Sequence, residues 1–194
     1  MKLGGALAGF WNMRGYSREG YGWLRRLVAL PPAAGRDAIR AKALCGLAEN
    51  GFRAGADRAE YRSHAEESVG LFRELKDQPG LAFALVQWGE LLPAGSAAQR
   101  AALEECLDLF RRLADPWGTA LALSQLAECL GHARGDDRQV QAYCQESLAL
   151  FKACGDRYRR AFAMFPLIAS YYLHSDPAPA YALLEECYAV NTEF

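Results

Sequence analysis

Glu104-Glu105-Cys106-Leu107-Asp108-Leu109-Phe110-Arg111-Arg112-Leu113-Ala114-Asp115 decides the fold, because the chain writes the same pattern elsewhere. Upstream stands Glu66-Glu67-Ser68-Val69-Gly70-Leu71-Phe72-Arg73-Glu74-Leu75-Lys76-Asp77. Downstream come Gln145-Glu146-Ser147-Leu148-Ala149-Leu150-Phe151-Lys152-Ala153-Cys154-Gly155-Asp156 and the partial copy Glu185-Glu186-Cys187-Tyr188-Ala189-Val190. The matching aspartates Asp77, Asp115 and Asp156 are 38 and 41 residues apart. A period of this length predicts stacked helical units, each too small to bury a core of its own.

Between these copies a second pattern recurs, Ala-x-Ala-Leu-x-x-apolar-small. It appears at Ala41 to Ala48, Ala82 to Gly89, Ala120 to Ala127 and, loosely, Ala161 to Ile168. Apolar residues three and four apart form one stripe of a helix, and the alanines along it allow close helix–helix approach. Each unit therefore reads as a first helix, A, carrying this stripe, and a second helix, B, carrying the Glu-Glu pattern. Asp77, Asp115 and Asp156 are placed to cap the A helices, and Pro116 follows its cap where a missing N–H is harmless. Breakers mark the turns from A to B at Gly55, Pro93-Ala94-Gly95, Gly135-Asp136 and Ser175 to Pro179. No strand-like alternation competes. The prediction is all-α, about five antiparallel helix pairs at roughly 1–32, 33–76, 77–114, 115–154 and 155–194. A degenerate first pair takes Gly4 to Arg14 as its A helix and Ser17 to Leu30 as its B helix. The whole reads as an excerpt of a longer array.

Composition narrows the function. Twenty-two basic and 23 acidic residues leave a net charge of −1, so no global field draws in nucleic acid or an anionic membrane. No run of eighteen apolar residues appears, and Trp11, Asn12 and Arg14 interrupt the faintly leader-like start, which points to the cytoplasm. Six cysteines are expected to stay reduced: Cys106 and Cys187 share a slot with Ser68 and Ser147, the mark of a small-residue contact between helices. Cys129-x-x-His132 has no second pair to complete a metal site, and no cofactor is expected. Phosphate-loop, nucleophile-elbow and zinc-protease motifs are absent, and His64, His132 and His174 stand alone, so no enzyme is expected. The pairs Glu66-Glu67, Glu104-Glu105 and Glu185-Glu186 recur in register and read as solvated helix starts near a macrodipole's positive end, not as acid/base dyads.

The unit Glu-Glu-Ser-x-x-Leu-Phe-Arg-x-Leu-x-Asp-x-x-Gly-x-Ala-x-Ala-Leu resembles the tetratricopeptide arrays of bacterial STAND-type ATPases and LuxR-like regulators. Phe10-Trp11-Asn12-Met13-Arg14-Gly15-Tyr16, followed by Glu19-Gly20 and Trp23-Leu24, resembles the first unit of such arrays. This chain departs from the usual unit of about 34 residues, and Asp-x-x-Gly replaces the usual proline between units. The resemblance implies a right-handed superhelical solenoid with its A helices on the concave face. It further implies a module for protein interaction or sensing in a signalling or transcriptional regulator. In that register one inward row holds Glu49, Glu90, Glu128 and Ala169, and another Lys42, Phe83, Leu121 and Phe162. A third holds Cys45, Val86, Ser124 and Phe165, beside Gln87, Gln125 and Pro166. The expected partner-binding residues are Glu49, Phe83, Val86, Gln87, Glu90, Leu121, Gln125, Glu128, Phe162 and Phe165. An apolar groove with an acidic ridge suits a protein or peptide segment carrying apolar anchors and Arg or Lys, with the parent protein's own ATPase region among the candidates.

Two other readings compete. Trp88, Trp117, Phe165 and Tyr171 could enclose a small-molecule inducer, or the array could be purely architectural, self-associating through its end helices. The Lys, Asn and Arg clamp of chaperone-binding tetratricopeptide domains does not appear. Pro166 falls inside the last A helix and predicts a bend there, next to Tyr171-Tyr172, which could shape a pocket.

Overall fold

The computed structural model describes residues 10–11, 14–30, 37–133, 136–173 and 177–192. These are helical apart from turns, and no strand occurs among them. Most of the A helix expected over Gly4 to Arg14, and the turn residues Gly135, Ser175 and Asp176, lie outside the described residues. The chain divides into two compact units, Met1–Leu91 and Leu92–Phe194.

The first unit holds α1 (Ser17–Val28), α2 (Asp37–Ala54), α3 (Arg58–Glu74) and α4 (Gln78–Leu91). Helices α2 and α4 are A helices, and α1 and α3 are B helices. Neighbours in sequence pack together, and α2 also touches α4. Tyr21, Leu24, Ala43, Leu44 and Leu47 form a core against which Trp11, Leu27 and Leu71 pack. A Cβ at Gly20 would stand 2.6 Å from the Trp11 ring, so α1 takes a glycine under that indole.

The second unit holds α5 (Ala97–Arg112), α6 (Pro116–His132), α7 (Asp137–Ala153), α8 (Arg157–Ala163), α9 (Phe165–Leu173) and α10 (Pro177–Thr192). Helices α5, α7 and α10 are B helices; α6 is an A helix, and α8 with α9 fill the next A position in two pieces. Leu130, Val140, Cys144 and Leu167 join α6, α7 and α9 in one cluster, and Met164, Ile168, Ala180 and Cys187 join the last A position to α10 in another.

The three turns from B to A that end at Asp77, Asp115 and Asp156 are built alike. The amides of Asp77, Asp115 and Asp156 reach back to the carbonyls of Phe72, Phe110 and Phe151, while those of Lys76, Ala114 and Gly155 bond Arg73, Arg111 and Lys152. This paired closure of a helix end needs a left-handed residue, and φ is 55° at Lys76, 52° at Ala114 and 73° at Gly155. The same aspartates then cap the next helix, accepting from Gly80, Gly118 and Arg159 at 2.9, 2.9 and 2.8 Å. One residue thus ends a helix and starts the next, which fixes the sharp reversal.

Helices within a pair are held by a buried polar contact that the Ser-or-Cys slot did not disclose. Ser68 Oγ donates to the Ala41 carbonyl at 2.9 Å, and Ser147 Oγ to that of Ala120 at 2.8 Å. Cys187 Sγ stands 3.9 Å from the Ala161 carbonyl in the same arrangement. The slot is small because the helices nearly touch, and polar because the hydroxyl supplies a second hydrogen bond to an alanine carbonyl.

The glutamate pairs require a correction. Glu66-Glu67, Glu104-Glu105 and Glu185-Glu186 sit near the middle of α3, α5 and α10, not at helix starts, because the true caps Asp57 and Ser96 lie well upstream. A macrodipole acts only within the first turn, so it does not explain them. The second glutamate instead meets an arginine of the A helix: Arg40 pairs with Glu67 at 2.8 Å and Arg160 with Glu186. Glu146, in the same register, pairs across to Arg111 on α5 at 3.0 Å.

All six cysteines carry free thiols. Burial pushes the Cys45, Cys106 and Cys144 thiols up to about 12, with Glu49 and Glu90 adding to the effect at Cys45. Such groups stay protonated at neutral pH and act as packing atoms.

Candidate functional site

The A position filled by α8 and α9 is where this chain leaves its own pattern. Residue 166 is proline, with no N–H to give the Phe162 carbonyl four residues earlier. The helix breaks at Met164, whose amide makes a tightened bond to Ala161 at 3.3 Å. Helix α9 then restarts at Phe165, so Pro166 lies in its first turn, where the missing N–H is harmless. In place of a simple bend the hydrogen-bond ladder lapses at one residue, Met164, which itself keeps right-handed helical dihedrals (φ −76°, ψ −27°).

A second departure lies about two turns before Pro166. Gly80 and Gly118 follow their caps by three residues, and a Cβ on either would enter the ring of Phe72 or Phe110. The third copy has Arg159 in that place. Its Cβ forbids the same approach to Phe151, which packs edge-on to Trp117 at 6.4 Å. The Arg159 guanidinium lies 5.9 Å from the Trp117 ring, and the indole N–H of Trp117 donates to Asp156 at 2.8 Å.

Beside the break opens a half-open cavity of about 880 Å³. Ser124, Gln125, Glu128 and His132 of α6 form one wall, and Phe162, Phe165, Pro166 and Ala169 the other. Asp137 and Val140 of α7 and the stem of Arg159 complete it. Tyr158, Phe162 and Phe165 run in sequence along the broken helix with ring centroids 4.9 and 5.9 Å apart. They are 42, 50 and 50% exposed, an unusual outlay of aromatic surface on one short stretch. Glu128 and Asp137 bring two carboxylates to the cavity, and His132 Nε2 stands 3.8 Å from Glu128.

Of the residues expected to bind a partner, Gln125, Glu128, Phe162 and Phe165 line this cavity. Val86 and Leu121 do not face solvent: they are 1 and 3% exposed and belong to the core. Neighbouring helices cover those two places, so they support the surface without touching anything on it. In the first unit Phe83 and Glu90 are exposed, and Glu49 and Gln87 are half-buried. Glu49 and Glu90, on α2 and α4, both act electrostatically on the Cys45 thiol. Among the four aromatics of the inducer reading, only Phe165 lines the cavity. Trp117 is turned to Phe151 and Asp156, Tyr171 packs in the core, and Trp88 lies under Arg62 at 5.5 Å. Sequence reasoning missed Tyr158, Arg159 and Asp137; the loss of glycine at 159 was the available signal for the second.

No family model matches the chain, and no curated protein does. Solved structures do. A crystal structure of nearly identical TPR-like repeats from a kinesin light chain-like protein of Podosopora anserina superposes with a TM-score of 0.67 at 15% identity, over 98% of this chain and 94% of that one. A glutamine-to-methionine variant of the same protein superposes at 0.69 and 16% identity over the same shares. The fold is that of TPR-like repeats. At such identity the likeness speaks for the fold alone, and it agrees with the repeat read from the Glu-Glu and Ala-x-Ala-Leu patterns.

Among the described residues no group of His, Cys, Asp and Glu could hold a metal ion, and no helix is long and apolar enough to cross a membrane.

Proposed function

We propose that this chain is a non-catalytic protein-recognition and sensor module of a bacterial signalling or transcriptional regulator, working in the cytoplasm and holding a partner segment against its A helices. The observation that carries this reading is the exposed aromatic run Tyr158, Phe162 and Phe165 beside an acid-walled cavity. Aromatic side chains set around a recess make strong anchors for a polypeptide, since they bury much area with little loss of rotamer freedom. On the first unit the residues proposed to bind a partner are Glu49, Phe83, Gln87 and Glu90. The partner is a protein or peptide segment, with the parent protein's own ATPase region as first candidate.

The inducer reading keeps one support, since about 880 Å³ falls within the size range of small-molecule pockets. Self-association has another. Leu184 and Tyr188 of α10 are exposed, whereas Leu103 and Leu107 hold the same repeat positions on α5 and are buried.

The test places a photo-crosslinking phenylalanine analogue at Phe162, or at Arg112 on the exposed face of α5, in the source cells. A discrete adduct with another polypeptide region at 162 and none at 112 is expected. No adduct, or equal adducts at both, would end the recognition reading.

A further inference from the structure

We infer that the cavity between α6 and the broken helix α8–α9 selects a peptide segment that presents an Arg or Lys side chain within three or four residues of a bulky apolar one. This rests on the recognition reading and adds what is recognised. Two kinds of surface meet in the cavity. Phe162, Phe165 and Pro166 offer an apolar wall whose rings are half exposed and lie edge to face. Across it, Glu128 and Asp137 supply negative charge.

The fixed positive charge among the lining residues, on Arg159, is engaged close to home. Its guanidinium lies over the Trp117 ring, and that tryptophan is tied to Asp156, the cap of Arg159's own helix. That contact orients the guanidinium without cancelling its charge, and two carboxylates against one guanidinium leave these three lining residues with a net formal charge of −1. His132 is the other ionisable group that faces Glu128, at 3.8 Å and on the same helix one turn later. A ligand cation meeting Glu128 gains from charge complementarity, and its aliphatic stem can lie along the phenylalanine faces, which attract cations.

The dimensions also admit a chain segment. From Ser124 to His132 the α6 wall runs about 12 Å at about 1.5 Å per residue. That is about four residues of an extended peptide or two turns of a helix. The cavity is half open, so a segment need not be engulfed to reach it.

The experiment is selection of a random dodecapeptide phage library on the intact chain, with each selected peptide then titrated by fluorescence polarisation. Peptides carrying Arg or Lys three or four residues from Trp, Phe, Leu, Ile or Met are expected. Their affinity should fall about 3- to 10-fold in Glu128→Gln and further in Glu128→Lys, as for a partly exposed ion pair, and should weaken with added salt. In Phe165→Ala they should lose binding about 10-fold or more. Peptides that need Phe165 but are acidic or neutral, and are indifferent to Glu128→Gln, would overturn the basic-side-chain inference and leave the recognition reading standing. A library that yields nothing dependent on Phe162 or Phe165 would overturn both. Saturable binding of arginine amide or spermidine, with no peptide selected, would do the same and assign the cavity to a small cation.

Discussion

Helix α6 and the α8–α9 pair occupy the same position in the repeat and begin in the same way, yet one is continuous and the other is broken. Both start from an aspartate cap that accepts from the amide three residues on. Both receive a hydrogen bond or sulfur contact from the next B helix at the first alanine of the Ala-x-Ala pattern. Among the many positions at which they differ, two bear on helix continuity, Gly118 against Arg159 and Gln125 against Pro166. On α6 the residue that follows this first alanine, Leu121, is core. Its counterpart on the broken helix, Phe162, is half exposed. Phe83, at the same place on the continuous α4, is 40% exposed as well, so the two departures interrupt the helix without being what exposes the ring, and the caps and the paired B helix stay in place.

The contrast between the two helices is most vulnerable where the glycine stands. Gly118→Ala would push a methyl group into the Phe110 ring, which is fully buried and has no room to swing. Overpacking costs about 1–3 kcal/mol, and a Cβ that would fall well inside contact distance of a ring belongs in the upper part of that range, about 2–3 kcal/mol, against which the helix gains about 1 kcal/mol from alanine. A net loss of about 1–2 kcal/mol, or roughly 2–8 °C in melting temperature followed by circular dichroism, is expected. If Gly118→Ala melts with the parent chain, the glycine is no constraint, and Arg159 explains nothing about the last A helix.

At the turns that precede the two helices, a change of opposite sign and smaller size is expected. Ala114 and Gly155 hold equivalent left-handed positions, but a Cβ is strained there and only Gly155 avoids it. Ala114→Gly should stabilise the chain by about 1 kcal/mol, raising the melting temperature by about 2–4 °C. A fall in melting temperature would mean the turn is held by its hydrogen bonds regardless of strain.

Local chemistry was legible in the sequence; coverage was not. Asp77, Asp115 and Asp156 could be read as caps because a cap acts on amides two or three residues away, within reach of any sequence pattern. Pro166 could be read as a break for the same reason. Val86 and Leu121 look like surface positions by register, but their burial depends on which neighbouring helix lies over them, and no local pattern encodes that. The glutamate pairs look like helix starts because Asp57 and Ser96 are single polar residues, easily passed over, while a doubled acid draws the eye. Their partners Arg40 and Arg160 lie 27 and 26 residues away and become visible only when the two helices of a pair are laid side by side. The cavity was half legible: Phe162, Phe165, Gln125 and Glu128 follow from the row, while Asp137 enters from the B helix, which the register did not consider.

The subtlest prediction concerns Pro166 itself. In the broken helix it is a first-turn residue, where proline is well tolerated, so Pro166→Ala should change stability by no more than about 0.5 kcal/mol. What changes is connectivity. Alanine restores an N–H that can reach the Phe162 carbonyl, and with it the option of one helix running from Arg157 to Leu173. Amide hydrogen exchange at residues 164–167 should then slow, and peptides selected on the parent chain should bind more weakly as the phenylalanine wall straightens. Unchanged exchange would show that Arg159 holds the break without help from the proline. In that case Arg159→Gly combined with Pro166→Ala is the variant that should recover the continuous form of α6. The order in which the two changes act separates cause from accommodation: a helix already displaced at its start by Arg159 has to bend somewhere, and the proline fixes where.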